Sequence, residues 1–193
     1  MTNVLIMTLC IFPYGGIRVG VGKWFDQSSS YHYRPISHEF SVFVGGWPVV
    51  GNGIKDKHLL LLEGGYHITE KKTISLFVPE NSQTVSFTDL YFSFHALREL
   101  RRTPSWKLLA GGGISWHTLR CYSWMNSTHQ LVDTGSRAGF SLDAVLSIPI
   151  NAKVGVIIWL KHSQVFPWLG FDFSMVRVSV GLYQDFRRVA SRS

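Results

Sequence analysis

The stretch Ser141–His162, SLDAVLSIPINAKVGVIIWLKH, reads as two strands doubled back about a short turn at PINA (149–152). In its second half Val154, Val156, Ile158 and Leu160 share one face, while Lys153, Gly155, Trp159 and Lys161 take the other; only Ile157 dilutes the contrast. In its first half, counting Phe140 just before it, Phe140, Leu142, Ala144, Leu146 and Ile148 oppose Ser141, Asp143 and Ser147. A period of two belongs to strands with two chemically different faces, whereas a helix would repeat near 3.6.

The same alternation continues in both directions from this pair. Towards the N-terminus, Trp106, Leu108, Ala110, Ile114 and Trp116 oppose Lys107, Gly111, Gly113, Ser115 and His117; Leu90, Phe92 and Phe94 oppose Asp89, Ser93 and His95. Leu60, Leu62, Tyr66 and Ile68 oppose Glu63, Gly65 and His67; Phe40, Val42 and Val44 oppose Glu39, Ser41, Gly45 and Trp47; Ile17, Val19 and Val21 oppose Arg18, Gly20 and Gly22. Towards the C-terminus, Val176, Val178, Val180 and Leu182 oppose Arg177, Ser179, Gly181 and Tyr183, while Phe171, Phe173 and Met175 fall out of phase and predict a bulge near Ser174. The count is eight strands.

The connections differ in kind. After the second, fourth and sixth strands come turns centred on GNGIKDK (51–57), RELRRTPS (98–105) and PINA; after the first and fifth come the longer polar segments DQSSSYHYRPIS (26–37) and MNSTHQLVDTGS (125–136). The link TEKKTISLFVPENSQT (69–84) is also long, and Val165–Gly170 is short and apolar. Long loops mostly at one end and short turns at the other is the layout of an up-and-down membrane barrel.

Composition limits the alternatives. The 193 residues are 46% hydrophobic and 14% aromatic with only 16% charged, a poor match to an ordinary water-covered surface. No apolar run is long enough for a membrane helix. A net charge of +7 raises nucleic acid as a partner, but the basic residues are scattered or sit at turns (Arg98, Arg101, Arg102) and the end (Arg187, Arg188, Arg192), so no nucleic-acid binding is expected. Cys10 and Cys121 are too few for a disulfide framework or a four-thiolate site. Residues 1–12 (MTNVLIMTLCIF) lack a basic start and an Ala-x-Ala-like site, so no export signal is evident in them.

Alternation alone does not say which face meets water. Gly20, Gly22, Gly45, Gly65, Gly111, Gly113, Gly155 and Gly181 all fall on the polar face, where they suit the crowded inside of a narrow barrel better than a solvated surface. The strand charges on that face balance: Arg18, Lys107, Lys161 and Arg177 against Glu39, Glu63, Asp89 and Asp143. Unpaired charge in a low-dielectric lumen costs several kcal/mol per ion, so equal numbers point to an internal ion-pair lattice. The expected fold is therefore all-β, an eight-stranded antiparallel up-and-down transmembrane β-barrel over about residues 15–186, in a single domain spanning 1–193.

On these segments the sequence resembles the small outer-membrane β-barrel proteins of Gram-negative bacteria, of the OmpA and OmpW type. The resemblance rests on SWKLLAGGGISWH (105–117), on SLDAVLSIPINAKVGVIIWLKH, and on the closing strand VRVSVGLYQDF (176–186). It implies an outer-membrane location with both chain ends in the periplasm, contact with outer-membrane lipid and lipopolysaccharide, and recognition of the last strand by the barrel-assembly machinery. It implies a non-enzymatic, structural or surface-exposed protein that binds or passes a small hydrophobic ligand. Seven residues follow Phe186, a departure from the family's aromatic ending.

Two rival functions attach to particular residues. His162 and Ser163 invite comparison with lipid A deacylase barrels, but that family's His-x-Ser puts both side chains on one face; here the two are adjacent and Gln164 takes the expected serine position. A soluble lipocalin-like barrel would bury Val156, Ile158, Leu142 and Leu146 in its centre. The histidines show no paired metal spacing, so His95 and His117 read as polar filler of the lumen. No metal and no cofactor is expected. Trp106 and Phe186 near the inner strand ends and Trp116 towards the outer end read as interfacial aromatic anchors.

Overall fold

The computed structural model describes residues 14–25, 34–47, 49–50, 53–54, 57–75, 82–125, 128–169 and 171–185. Eight strands form the ring: β1 (Tyr14–Phe25), β2 (Ile36–Gly46), β3 (His58–Thr69), β4 (Ser82–Arg102), β5 (Lys107–Met125), β6 (Thr128–Pro149), β7 (Val154–Trp168) and β8 (Phe171–Asp185). Each pairs antiparallel with its chain neighbours, and β1 closes on β8 in a register running from Tyr14↔Asp185 to Phe25↔Ser174. Closure leaves no open edge among these strands, which is what a backbone surrounded by hydrocarbon requires. Lys72–Ser75 extends the β3–β4 hairpin by pairing with Ser82–Val85, and a small ladder joins Val49–Val50 to Gly53–Ile54.

The aliphatic face of every strand points outward. Ile17, Val19, Phe40, Leu90, Ile114, Leu142 and Val178 are exposed on the outside, while Arg18, Glu39, Asp89, Asp143 and Arg177 of the same strands are buried. Among the described residues, the outward positions over Gly15–Val21, Thr88–Ala96, Leu108–Thr118, Ala138–Ile148 and Val176–Leu182 carry no Asp, Glu, Lys or Arg. Lys23 and Arg120 bound this wall at one end and Arg98 at the other. A lipid-facing Arg or Lys at midplane costs about 2–4 kcal/mol, so charges belong at the two rims. Leu142 is 63% exposed, and Leu146, Val156 and Ile158 share its outward parity, which removes the lipocalin-like alternative.

The turns at 103–106 and 150–153 lie at the same end as the start of β1 and the end of β8, as the expected topology requires. Three local expectations are corrected. RELRRTPS is mostly strand, because β4 runs to Arg102; MNSTHQLVDTGS is likewise mostly strand, because β5 and β6 continue as a hairpin over it. These extensions carry polar residues on both faces, so they lack the alternation by which strands are recognised. No bulge occurs at Ser174: the β7–β8 register is unbroken from Val154↔Gln184 to Val165↔Phe173, and the irregularity lies between Val165 and Trp168. Phe173 and Met175 stay in phase with Arg177 and point inward, where the lumen has become apolar.

Candidate functional site: a buried ionic belt between apolar layers

The lumen is filled in three layers. Next to the chain ends, Tyr14, Phe43, Leu59, Leu61, Leu97, Leu109, Val145, Ile157, Trp159 and Tyr183 form one apolar cluster, with Trp47 packed against it. At the far end Trp24, Val85, Phe87, Leu119, Cys121, Val165, Trp168, Phe173 and Met175 form another. Ile157, the residue that blurred the alternation of the seventh strand, is an inward member of the first layer.

Between these layers lies a belt of charge. Glu63 is contacted by Arg18, by Lys161 Nζ at 3.0 Å and by His95 Nε2 at 2.8 Å. Glu39 receives Arg177 Nη1 at 3.0 Å and Arg18 Nη2 at 3.4 Å, and the Tyr91 hydroxyl sits between Glu39 and Glu63. His95 Nδ1 reaches Asp143 Oδ2 at 2.9 Å, and Asp143 also accepts from Trp159 Nε1 at 2.9 Å and Ser141 Oγ at 3.0 Å. Asp89 pairs with His117 Nδ1 at 2.7 Å, and His117 Nε2 meets Ser115 Oγ at 2.8 Å. Arg177 donates to His67 and to Ser163 Oγ at 3.2 Å; Arg18 donates to Ser41 Oγ at 2.8 Å and lies 3.9 Å over the Trp159 ring.

Glycine makes the room for these long side chains. A Cβ on Gly22 would stand 2.6 Å from Arg177 Cγ, and one on Gly113 would stand 2.6 Å from His95 Nδ1. Both separations are closer than real Cβ contacts, so at Gly22 and Gly113 the space of a side chain is taken by Arg177 and His95.

Of the eight charges expected to share the lumen, Arg18, Glu39, Glu63, Asp89, Asp143, Lys161 and Arg177 are at most 5% exposed and meet there. Lys107 does not join them. It is half-buried at the mouth beside the chain ends, where a cavity of about 700 Å³ is lined by Arg102, Lys107, Lys153 and Asp185 among others. As the first residue of β5 it lies outside the apolar layer that seals the belt. The even balance read from the sequence thus becomes three cations against four carboxylates, completed by His67, His95 and His117. Tyr91 was the member missed. It shares the odd-numbered inward parity of Asp89, Ser93 and His95 on β4, and that parity was the available signal.

Trp106 is half-buried near the β4–β5 turn with the Arg101 guanidinium 5.5 Å from its ring, and Trp116 is exposed on the outer wall. Phe186 lies outside the described residues. His162 is half-buried on the outward face, while Ser163 is buried inward against Arg177. No group of three or more His, Cys, Asp or Glu placed to hold a metal ion occurs among the described residues.

No protein-family model matches the chain, and no curated protein sequence matches it. Its fold is similar to that of Neisserial surface protein A (NspA), with a TM-score of 0.57 at 12% identity over 89% of this chain and 97% of that one. It is also similar to a major outer membrane protein from Thermus thermophilus, with a TM-score of 0.56 at 9% identity over 88% of this chain and 98% of that one. At these identities the likeness is one of fold: the chain has the architecture of the small outer-membrane β-barrel proteins.

Proposed function

We propose that this chain is a non-enzymatic β-barrel of a bacterial outer membrane, with its chain ends in the periplasm and its extended β3–β4 and β5–β6 hairpins outside. The reading is carried by the inversion of polarity: Arg18, Lys161 and Arg177 are each 2% exposed inside the ring, whereas Leu142 and Ile114 are 63% and 69% exposed outside it. Burying three cations while leaving aliphatic side chains bare is ruinous in water, where apolar burial supplies the stabilisation, and favourable in lipid. An ionic belt sealed by two apolar layers supports a structural or surface-exposed role over a solute pore. Interfacial anchoring by Trp106, Trp116 and Phe186, and recognition of the closing strand during assembly, belong to the same proposal.

The acyl-hydrolase alternative finds no support in the geometry. A general base must reach its nucleophile, and His162 and Ser163 lie on opposite faces of β7 with Ser163 held by Arg177. Folded protein in detergent is expected to migrate differently from the boiled sample on a gel and to insert into lipid vesicles. Identical migration together with a monodisperse, detergent-free solution would overturn the outer-membrane reading.

A further inference from the structure

The lipid-facing wall has a gap on β3. Gly64 points outward on β3 with Val42 and Phe92 as its cross-strand partners, and a Cβ there would meet nothing nearer than Phe92 Cδ2 at 4.0 Å. Around this missing side chain Phe40, Tyr66, Leu90, Phe92 and Trp116 stand up as walls of an apolar groove of about 460 Å³, with Thr118 also lining it. Register sets what lies beyond it. Phe92 faces Trp116, Leu90 faces Thr118 and Thr88 faces Arg120, so Arg120 is the next outward position past the groove, about 7 Å further along the strand. Arg120 is exposed and forms no salt bridge among the described residues. Further along the same seam the Lys71 ammonium lies 3.2 Å over the Trp124 ring.

An apolar channel at hydrocarbon depth with a guanidinium at the next outward position past its end matches an acyl chain bearing an anionic headgroup. A second copy of this chain fits less well, because a twofold contact sets like against like, and two concavities cannot fill one another. We propose that this groove seats one acyl chain of a lipid A-type phosphorylated glycolipid of the outer leaflet, with Arg120 on a headgroup phosphate. The inference rests on the outer-membrane reading, which puts the Arg120 end of the groove in that leaflet. Guanidinium suits phosphate because its planar donors can bond two oxygens at once.

The test is native mass spectrometry of the full chain, folded in detergent and loaded with purified bis-phosphorylated lipid A or with phosphatidylglycerol, with gel migration read in parallel. The wild-type chain should retain one lipid A in preference to phosphatidylglycerol. Gly64→Leu, which fills the gap, should lower retention about tenfold, and Arg120→Gln should lower it several-fold, both with the heat-dependent shift intact. Equal retention by both variants, equal retention of phosphatidylglycerol by the wild type, or a dimer that Gly64→Leu dissociates would each overturn the inference alone. Loss of the shift in the wild-type chain would overturn the outer-membrane reading and the inference with it.

Discussion

His95 faces a carboxylate oxygen with each ring nitrogen, Glu63 at 2.8 Å and Asp143 at 2.9 Å, and an ionised carboxylate has no proton to give. One imidazole on β4 thus bridges carboxylates of β3 and β6. Removing one partner of a buried ionic network leaves the others uncompensated and costs about 3–5 kcal/mol. His95→Ala is accordingly expected to lower the urea midpoint of the detergent-folded chain by that equivalent. Ser93→Ala is the matched control: Ser93 is buried in the same strand, but its hydroxyl has no hydrogen-bond partner among the described residues, so its loss should stay within about 0.5 kcal/mol.

On β3, two neighbouring glycines have opposite duties, because successive residues of a strand point to opposite faces. Gly64 opens the outer groove, whereas a Cβ on Gly65 would stand 2.5 Å from the Tyr91 ring, the side chain set between Glu39 and Glu63. Gly65→Ala should therefore overpack the lumen and cost about 1–3 kcal/mol, while Gly64→Ala should leave stability nearly unchanged. Equilibrium unfolding of the two variants reads the difference, and equal costs would contradict the assignment of faces. The strand ends follow a second rule. There the inward positions turn from charged to aliphatic or aromatic, as at Leu59, Leu61, Phe173 and Met175, and the alternation weakens because both faces are apolar.

Taken whole, the molecule is a sealed cylinder whose outer surface is its greasiest part. Leu142→Arg should cost about 2–4 kcal/mol in a bilayer, because the new charge would face hydrocarbon. The measurement is folding into vesicles against urea, and a neutral result would mean that this wall meets water. The filled lumen also predicts no stepwise conductance in planar bilayers, since the buried rings of Trp24 and Phe87 occupy one layer and those of Phe43 and Trp159 the other. Regular single-channel steps would show that the layers open.

The run of aliphatic residues two apart determined by itself that the chain forms strands, how many there are, and which residues share a face, because that period is local and needs no partner. It placed all eight expected lumen charges on one face for the same reason, of which seven are buried together, and set His162 and Ser163 apart. What only closure of the ring decided is contact between strands far apart in sequence: that Arg18 meets Glu63, that Tyr91 sits between Glu39 and Glu63, and that Lys107 is left at the mouth. Height within the barrel depends on stagger between strands, and stagger is a property of the closed sheet rather than of any one segment.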